Sequence, residues 1–158
     1  MAFSPDGSQF VSDGRDRYIQ LWDRHTGTST SDVLLADDGG FRGRDKNIID
    51  MTYSPCGRWI NFIVLNKAVR LWDIQQAKQE QVIERPAKDM DDNVRCVAFS
   101  PTGLQFGMGY SYGPVCLFDL GTRRLVKFTR IAEDTVRGLV YAPNGQELTI
   151  GTSTAIYL

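Results

Sequence analysis

Histidine is nearly missing from this chain: His25 is the single one among 158 residues, and three cysteines, Cys56, Cys96 and Cys116, stand far apart with no CxxC pair. That inventory excludes the ligand spacing of a zinc site, and no metal or other cofactor is expected. Charge of one sign is also lacking. Eighteen Lys and Arg against nineteen Asp and Glu leave a formal charge of −1, so no whole-chain field draws the protein to nucleic acid or an anionic membrane. No apolar run approaches the roughly 18 residues of a membrane span, and the first residues carry neither a basic n-region nor an apolar h-region. Cys96 and Cys116 lie in apolar runs and read as buried thiols, which favours a reducing compartment: a cytoplasmic location is expected, with the nucleus as the alternative. Helical periodicity is nearly absent. Gly39-Gly40 and Gly107-Met108-Gly109 lack the lysine and the strand-to-helix setting of a phosphate loop.

What the chain does have is a turn, written four times. Phe3-Ser4-Pro5-Asp6-Gly7, Tyr53-Ser54-Pro55-Cys56-Gly57, Phe99-Ser100-Pro101-Thr102-Gly103 and Tyr141-Ala142-Pro143-Asn144-Gly145 place their prolines 50, 46 and 42 residues apart. Proline fixes φ, and the glycine takes the left-handed conformation that a tight turn needs. Seventeen residues after the first three prolines come Trp22, Trp72 and Phe118, each between a leucine and an aspartate. In the fourth copy the aromatic, Tyr157, follows after only fourteen. A period of this size signals stacked β units that bury their faces against one another.

Short β-rich runs fill the intervals. In the second unit Ile48–Tyr53, Trp59–Val64 and Ala68–Trp72 read as strands, and Gln81–Ile83 as a fourth. The same plan recurs around the other turns, giving four antiparallel strands per unit. The units run over about 1–47, 48–93, 94–135 and 136–158, the last reaching only a third strand. Two polar connections, 36–47 and 84–93, join successive units and read as exposed loops rather than domain linkers.

These units resemble WD repeats, whose blades build β-propellers. Trp22-Asp23 and Trp72-Asp73 match the family's Trp-Asp ending, and Phe118-Asp119 is a close variant. Asp16, six residues before Trp22, matches the aspartate that orders a blade's turn, with Asn66 and Tyr112 at the corresponding places later on. The resemblance implies an all-β fold of about three to four blades, each a four-stranded antiparallel sheet, in an incomplete ring. The structural positions it picks out are Pro5, Gly7, Asp16, Trp22, Asp23, Pro55, Gly57, Trp72, Asp73, Pro101, Gly103, Phe118, Asp119, Pro143, Gly145 and Tyr157. Bottom-up, Leu and Trp near a strand end are expected to cover the interface between neighbouring sheets, and their loss to cost about 3–5 kcal/mol where fully packed.

The function expected from this is non-catalytic: a scaffold presenting a rim for protein or peptide recognition. Ser111, Asp134 and His25 share no spacing that supports a catalytic trio, and acid pairs such as Asp37-Asp38 and Asp91-Asp92 read as solvated loop charges. Arg95 and Arg137 each stand four residues before the turn aromatic of their unit, with Ile49 at the same place in the second. In stacked blades they should fall at equivalent rim positions, where arginine forks suit a carboxylate or a phosphate. Tyr112 and Phe41 are the aromatic candidates for contact. Two alternatives stand beside the scaffold: a module for phosphorylated or acidic peptides, and a structural segment completing a larger propeller, by self-association or with further blades of a parent chain.

Overall fold

The computed structural model describes residues 1–13, 18–34, 48–64, 68–84, 93–131 and 134–158. Asp16, Asn66, Phe41 and most of both connecting loops lie outside these residues. Among the described residues fifteen strands form four separate antiparallel sheets, each a meander. The first holds β1 (Ala2–Phe3), β2 (Gln9–Asp13), β3 (Tyr18–Asp23) and β4 (Ser29–Leu34); the second holds β5 (Ile48–Tyr53), β6 (Trp59–Val64), β7 (Ala68–Asp73) and β8 (Lys78–Glu84). The third comprises β9 (Val94–Phe99), β10 (Gln105–Tyr110), β11 (Pro114–Asp119) and β12 (Arg124–Arg130). The fourth has three strands, β13 (Val136–Tyr141), β14 (Leu148–Thr152) and β15 (Ile156–Tyr157). Their first strands, β1, β5, β9 and β13, pack side by side in chain order, and the ring is open.

Each proline turn is built alike. The Gly7 amide donates to the Ser4 carbonyl and the Ser4 amide to the Gln9 carbonyl, both at 2.9 Å, with Gly7 at φ 68°. The serine hydroxyl then accepts the amide of the next strand's start: Gln9 at 2.9 Å, Trp59 at 2.9 Å and Gln105 at 3.3 Å. Ala142 has no hydroxyl to do this, though the Ala142 amide still donates to the Glu147 carbonyl. The turns also stack. A Cβ on Gly57, Gly103 or Gly145 would sit 3.7, 3.6 and 3.6 Å from the Cδ of Pro5, Pro55 and Pro101, so each turn glycine lies over the proline of the preceding sheet.

The aspartate after each aromatic closes the next turn. Asp23 Oδ1 accepts the amides of His25 and Thr26, both at 2.8 Å, and Asp73 Oδ1 those of Gln75 and Gln76 at 2.9 and 3.0 Å. Asp119 Oδ1 accepts the Thr122 amide at 2.7 Å. A short carboxylate can satisfy amides two and three residues on, which is why Asp recurs here. In all three sheets the ladder also shifts register just before the aromatic, at Leu21/Trp22, Leu71/Trp72 and Leu117/Phe118. A bulge there raises the local twist, as a stack of fanned sheets requires.

Register decides which face meets which neighbour. Phe10 stands opposite Trp22, Ile60 opposite Trp72 and Phe106 opposite Phe118, so the aromatic rows share one face of every sheet. That face turns toward the preceding sheet. Phe99, Phe106, Met108 and Phe118 pack on Ile63, Val69, Leu71 and Ile83 of the second sheet. Tyr53, Ile60 and Phe62, with half-buried Trp72, pack on Val11, Ile19 and Leu21 of the first. Trp22 differs. It lies on the face of the first sheet opposite Val11 and Leu21, half-buried, stacked on Phe10 at 6.0 Å between centroids, and its Nε1 donates to Ser12 Oγ at 2.9 Å. Among the described residues no sheet covers it.

Candidate functional site

The ends of the sheets away from the proline turns form a rim. The inner strands begin there and the turns between second and third strands close there. Arg95, second residue of β9, is exposed, and its Nε donates to Ser111 Oγ at 3.0 Å. Arg137, second residue of β13, is exposed as well, and its Nε donates to Ser153 Oγ at 3.1 Å. Both serines follow their arginine by sixteen residues, at the turn that faces it. The construction is therefore repeated: a serine hydroxyl holds one edge of a guanidinium and sets its plane, while the Nη atoms have no partner among the described residues.

Ser111 is buried and pinned, its own amide donating to the Asn93 carbonyl at 2.8 Å. Tyr112 follows it directly at φ 61° with 59% of its surface exposed. The left-handed region is uncommon for a bulky side chain and is held here by the tight Ser111–Gly113 turn. Arg95, Ser111 and Tyr112 thus meet at one corner of the third sheet. On the second sheet Ile49 occupies the equivalent position and is exposed. At the fourth, Asp134 Oδ2 accepts the Thr154 hydroxyl at 2.9 Å, and that bond, with the Thr135 amide, holds its carboxyl below the usual range against the opposing effect of burial. A fixed negative charge therefore stands on the rim near Arg137's strand. Phe41 lies outside the described residues. Ser153 was missed in the sequence and Ser111 was weighed there only as a catalytic candidate, although the shared sixteen-residue interval from each arginine is a signal that could have found their role.

Among the described residues Ser111, Asp134 and His25 do not come together as a nucleophile and a base. Ser111 serves Arg95, Asp134 serves the β14–β15 turn of the fourth sheet, and His25 sits at the opposite end of the first sheet, where its amide donates to Asp23 Oδ1. The two interior thiols stay protonated, since burial pushes Cys96 and Cys116 up to about 12, with Asp50 adding to the effect at Cys96. Among the described residues no three His, Cys, Asp or Glu side chains are grouped to hold a metal ion.

Comparison with known proteins fits the architecture. The family model described as "WD domain, G-beta repeat" matches residues 1–23. The structure superposes on a chain of Kuenenia stuttgartiensis hydrazine synthase with a TM-score of 0.77, over 94% of this chain and 40% of that one, at 18% identity. The fold is an open WD40-type β-propeller. Such WD40-type domains are generally protein-interaction modules and generally non-catalytic. In sequence the chain is 23% identical over 120 residues to transcription initiation factor TFIID subunit 5 of Caenorhabditis elegans, a match covering 76% of this chain and 17% of that protein. It therefore spans about a sixth of the length of the curated relative it matches.

Proposed function

We propose that this WD40-type domain recognises an acidic or phosphorylated peptide across the rim formed by its second, third and fourth sheets. The observation that carries this reading is the repeated Arg–Ser pair. Two exposed guanidinium groups, each oriented through Nε by a serine, lie at equivalent places on adjoining inner strands. Orientation lowers the rotamer entropy lost on binding, and a planar fork suits two oxygens of a carboxylate or phosphate. Exposed Tyr112 beside Arg95 adds aromatic surface, and Ile49 supplies an apolar contact one sheet away. The peptide chemistry this favours is an apolar residue followed by an anionic one. Asp134 disfavours a second anion over the fourth sheet.

The test is capture of acidic and phosphorylated peptides by the wild type, compared with R95A, R137A and the double variant. The double variant should lose capture, at least about tenfold in affinity for two charge-assisted contacts, while its circular dichroism spectrum stays unchanged. Unaltered affinity rejects the reading.

A second reading is favoured by the outer faces of the two terminal sheets. Phe3 is 58% exposed at the head of the Phe10–Trp22 row, and Val140 and Ile156 are 66% and 76% exposed on the fourth sheet. Between sheets two and three the corresponding faces are buried against each other. These four sheets then serve as an arc of a larger propeller, flanked by further sheets. Sedimentation of the chain distinguishes the two: a monomer with bare apolar faces supports the rim reading, and closed rings of two copies support the arc.

A further inference from the structure

The outermost strand of the third sheet differs in charge from its counterparts. β12 carries Arg124, Lys127 and Arg130, and no acidic residue stands between Leu120 and Ala132. β4, at the same place in the first sheet, has Asp32 and no Lys or Arg, and β8 in the second has Lys78 against Glu80 and Glu84. Every residue of β12 is exposed, Leu125, Val126 and Phe128 included. We propose that the outer edge of β12 docks an extended acidic segment of a partner protein, which pairs with it as an added strand whose side chains alternate between carboxylate and apolar.

β12 lies inside the chain, with the three strands of the fourth sheet after it. The second and fourth sheets pack on the two faces of the third, so neither of them covers its edge. Among the described residues β12 pairs with β11 alone. A strand with a single ladder leaves the N–H and C=O groups of alternate residues pointing outward, where they template a further strand. Basic side chains at an edge commonly repel such pairing. Here β4 and β8 are outermost strands as well, yet neither carries a net positive charge. Charge concentrated on one edge alone favours selection of a partner over general protection.

Register sets what that partner carries. Arg124 stands opposite Asp119 and Lys127 opposite Leu117, in the row that faces the fourth sheet; Leu125 stands opposite Phe118 and Phe128 opposite Cys116, in the row that faces the second. An added strand continues both rows. Directly opposite side chains interact most strongly, and opposite charges and apolar pairs are the favourable combinations. Residues that enter the row of Arg124 and Lys127 are therefore acidic, and those that enter the row of Leu125 and Phe128 are apolar. Outward amides and carbonyls favour a polypeptide over a nucleic acid or a lipid surface, which would use the positive charges alone; main-chain bonds give strand addition its affinity and the side-chain rows its selectivity. The edge is distinct from the rim of Arg95 and Arg137, which stand on the inner strands β9 and β13.

The experiment uses the whole chain, labelled for NMR, with the peptide Glu-Val-Glu-Val-Glu-Val-Glu as probe. The expected result is a saturable shift of the β12 amide signals, with slowed exchange. A probe N-methylated at alternate residues should bind at least about tenfold more weakly. Lys127→Glu, at an exposed position, should keep the circular dichroism spectrum, weaken binding about fivefold and favour Lys-Val-Lys-Val-Lys-Val-Lys instead. The double variant R95A/R137A should show the same β12 shifts as the wild type, and their loss there would assign the peptide to the rim and overturn the proposal. Equal binding of the N-methylated probe, or equally tight binding of a thymidine oligonucleotide or a phosphatidylserine vesicle, would mean a surface that reads charge alone and would overturn it too. So would β12 shifts that follow protein concentration without peptide, which would make a second copy the occupant.

Discussion

The contact between the second and third sheets and the contact between the third and fourth are made by the same repeat, yet they are filled differently. The former is closed by large side chains from both partners: Phe99, Phe106 and Phe118 against Ile63, Leu71 and Ile83. The latter meets the third sheet on its other face, where Gly107 and Gly109 stand in the middle strand and the fourth sheet comes close instead of reaching across. A Cβ on Gly109 would lie 2.5 Å from Val136 Cγ1 and 2.7 Å from Cys96 Sγ, and one on Gly107 3.3 Å from Leu139 Cδ1. Bulk closes one interface and the absence of bulk closes the other. The repeat therefore fixes the order of the sheets, while the filling of each contact is local.

The largest break in that comparison is Phe106→Ala. Phe106 is fully buried between Phe99 and Phe118, with ring centroids at 5.6 and 5.1 Å. Its truncation should destabilise by about 3–5 kcal/mol in denaturant unfolding. Gly109→Ala attacks the other contact by overpacking and should cost about 1–3 kcal/mol. Gly138→Ala, where a new Cβ meets nothing within 4 Å, is the control and should unfold close to the wild type.

Asn61 sharpens the contrast from the opposite direction. It is fully buried in β6 on the face toward the third sheet, and both amide atoms lack a hydrogen-bond partner among the described residues. Val11 holds the equivalent place in the first sheet. An unsatisfied buried amide costs about 1–3 kcal/mol, so Asn61→Val should raise the unfolding midpoint, and a fall would show that the amide is satisfied in solution.

The smallest effect compares the first turn with the fourth. The Ser4 hydroxyl, then the Ser8 amide, hold the Asp6 carboxyl down at about 2. A group whose pKa is lowered by folding stabilises the fold above its unfolded value of about 3.9, and this contribution is lost as pH falls through the folded one. The Ser8 amide signal should therefore shift with a midpoint near pH 2. Asn144 replaces the aspartate in the fourth turn and accepts the Gln146 amide at 3.0 Å, so Gln146 should not respond.

Much of this was legible because the turn and the Trp-Asp pair act through local chemistry. Proline, a left-handed glycine and a capping aspartate enforce their geometry within five residues, so four copies announced four sheets and their strand order. The facing of the sheets was not legible. Trp22 and Trp72 read alike in sequence, yet among the described residues only Trp72 packs into a contact between two sheets. Gly107 and Gly109 were weighed in sequence only against a phosphate loop, while their smallness is what lets Leu139 and Val136 approach. On the rim, Arg95 and Arg137 stood out by their shared position, but Ser111 and Ser153 act across a turn and became visible only when the strands were paired.

All of these comparisons assume sheets stacked in chain order with their turns in contact. A nuclear Overhauser spectrum of the intact chain tests that directly. Cross-peaks are predicted from the α-protons of Gly57, Gly103 and Gly145 to the δ-protons of Pro5, Pro55 and Pro101 respectively. Absence of all three, or contact of any of these glycines with the proline of a different sheet, would contradict the account.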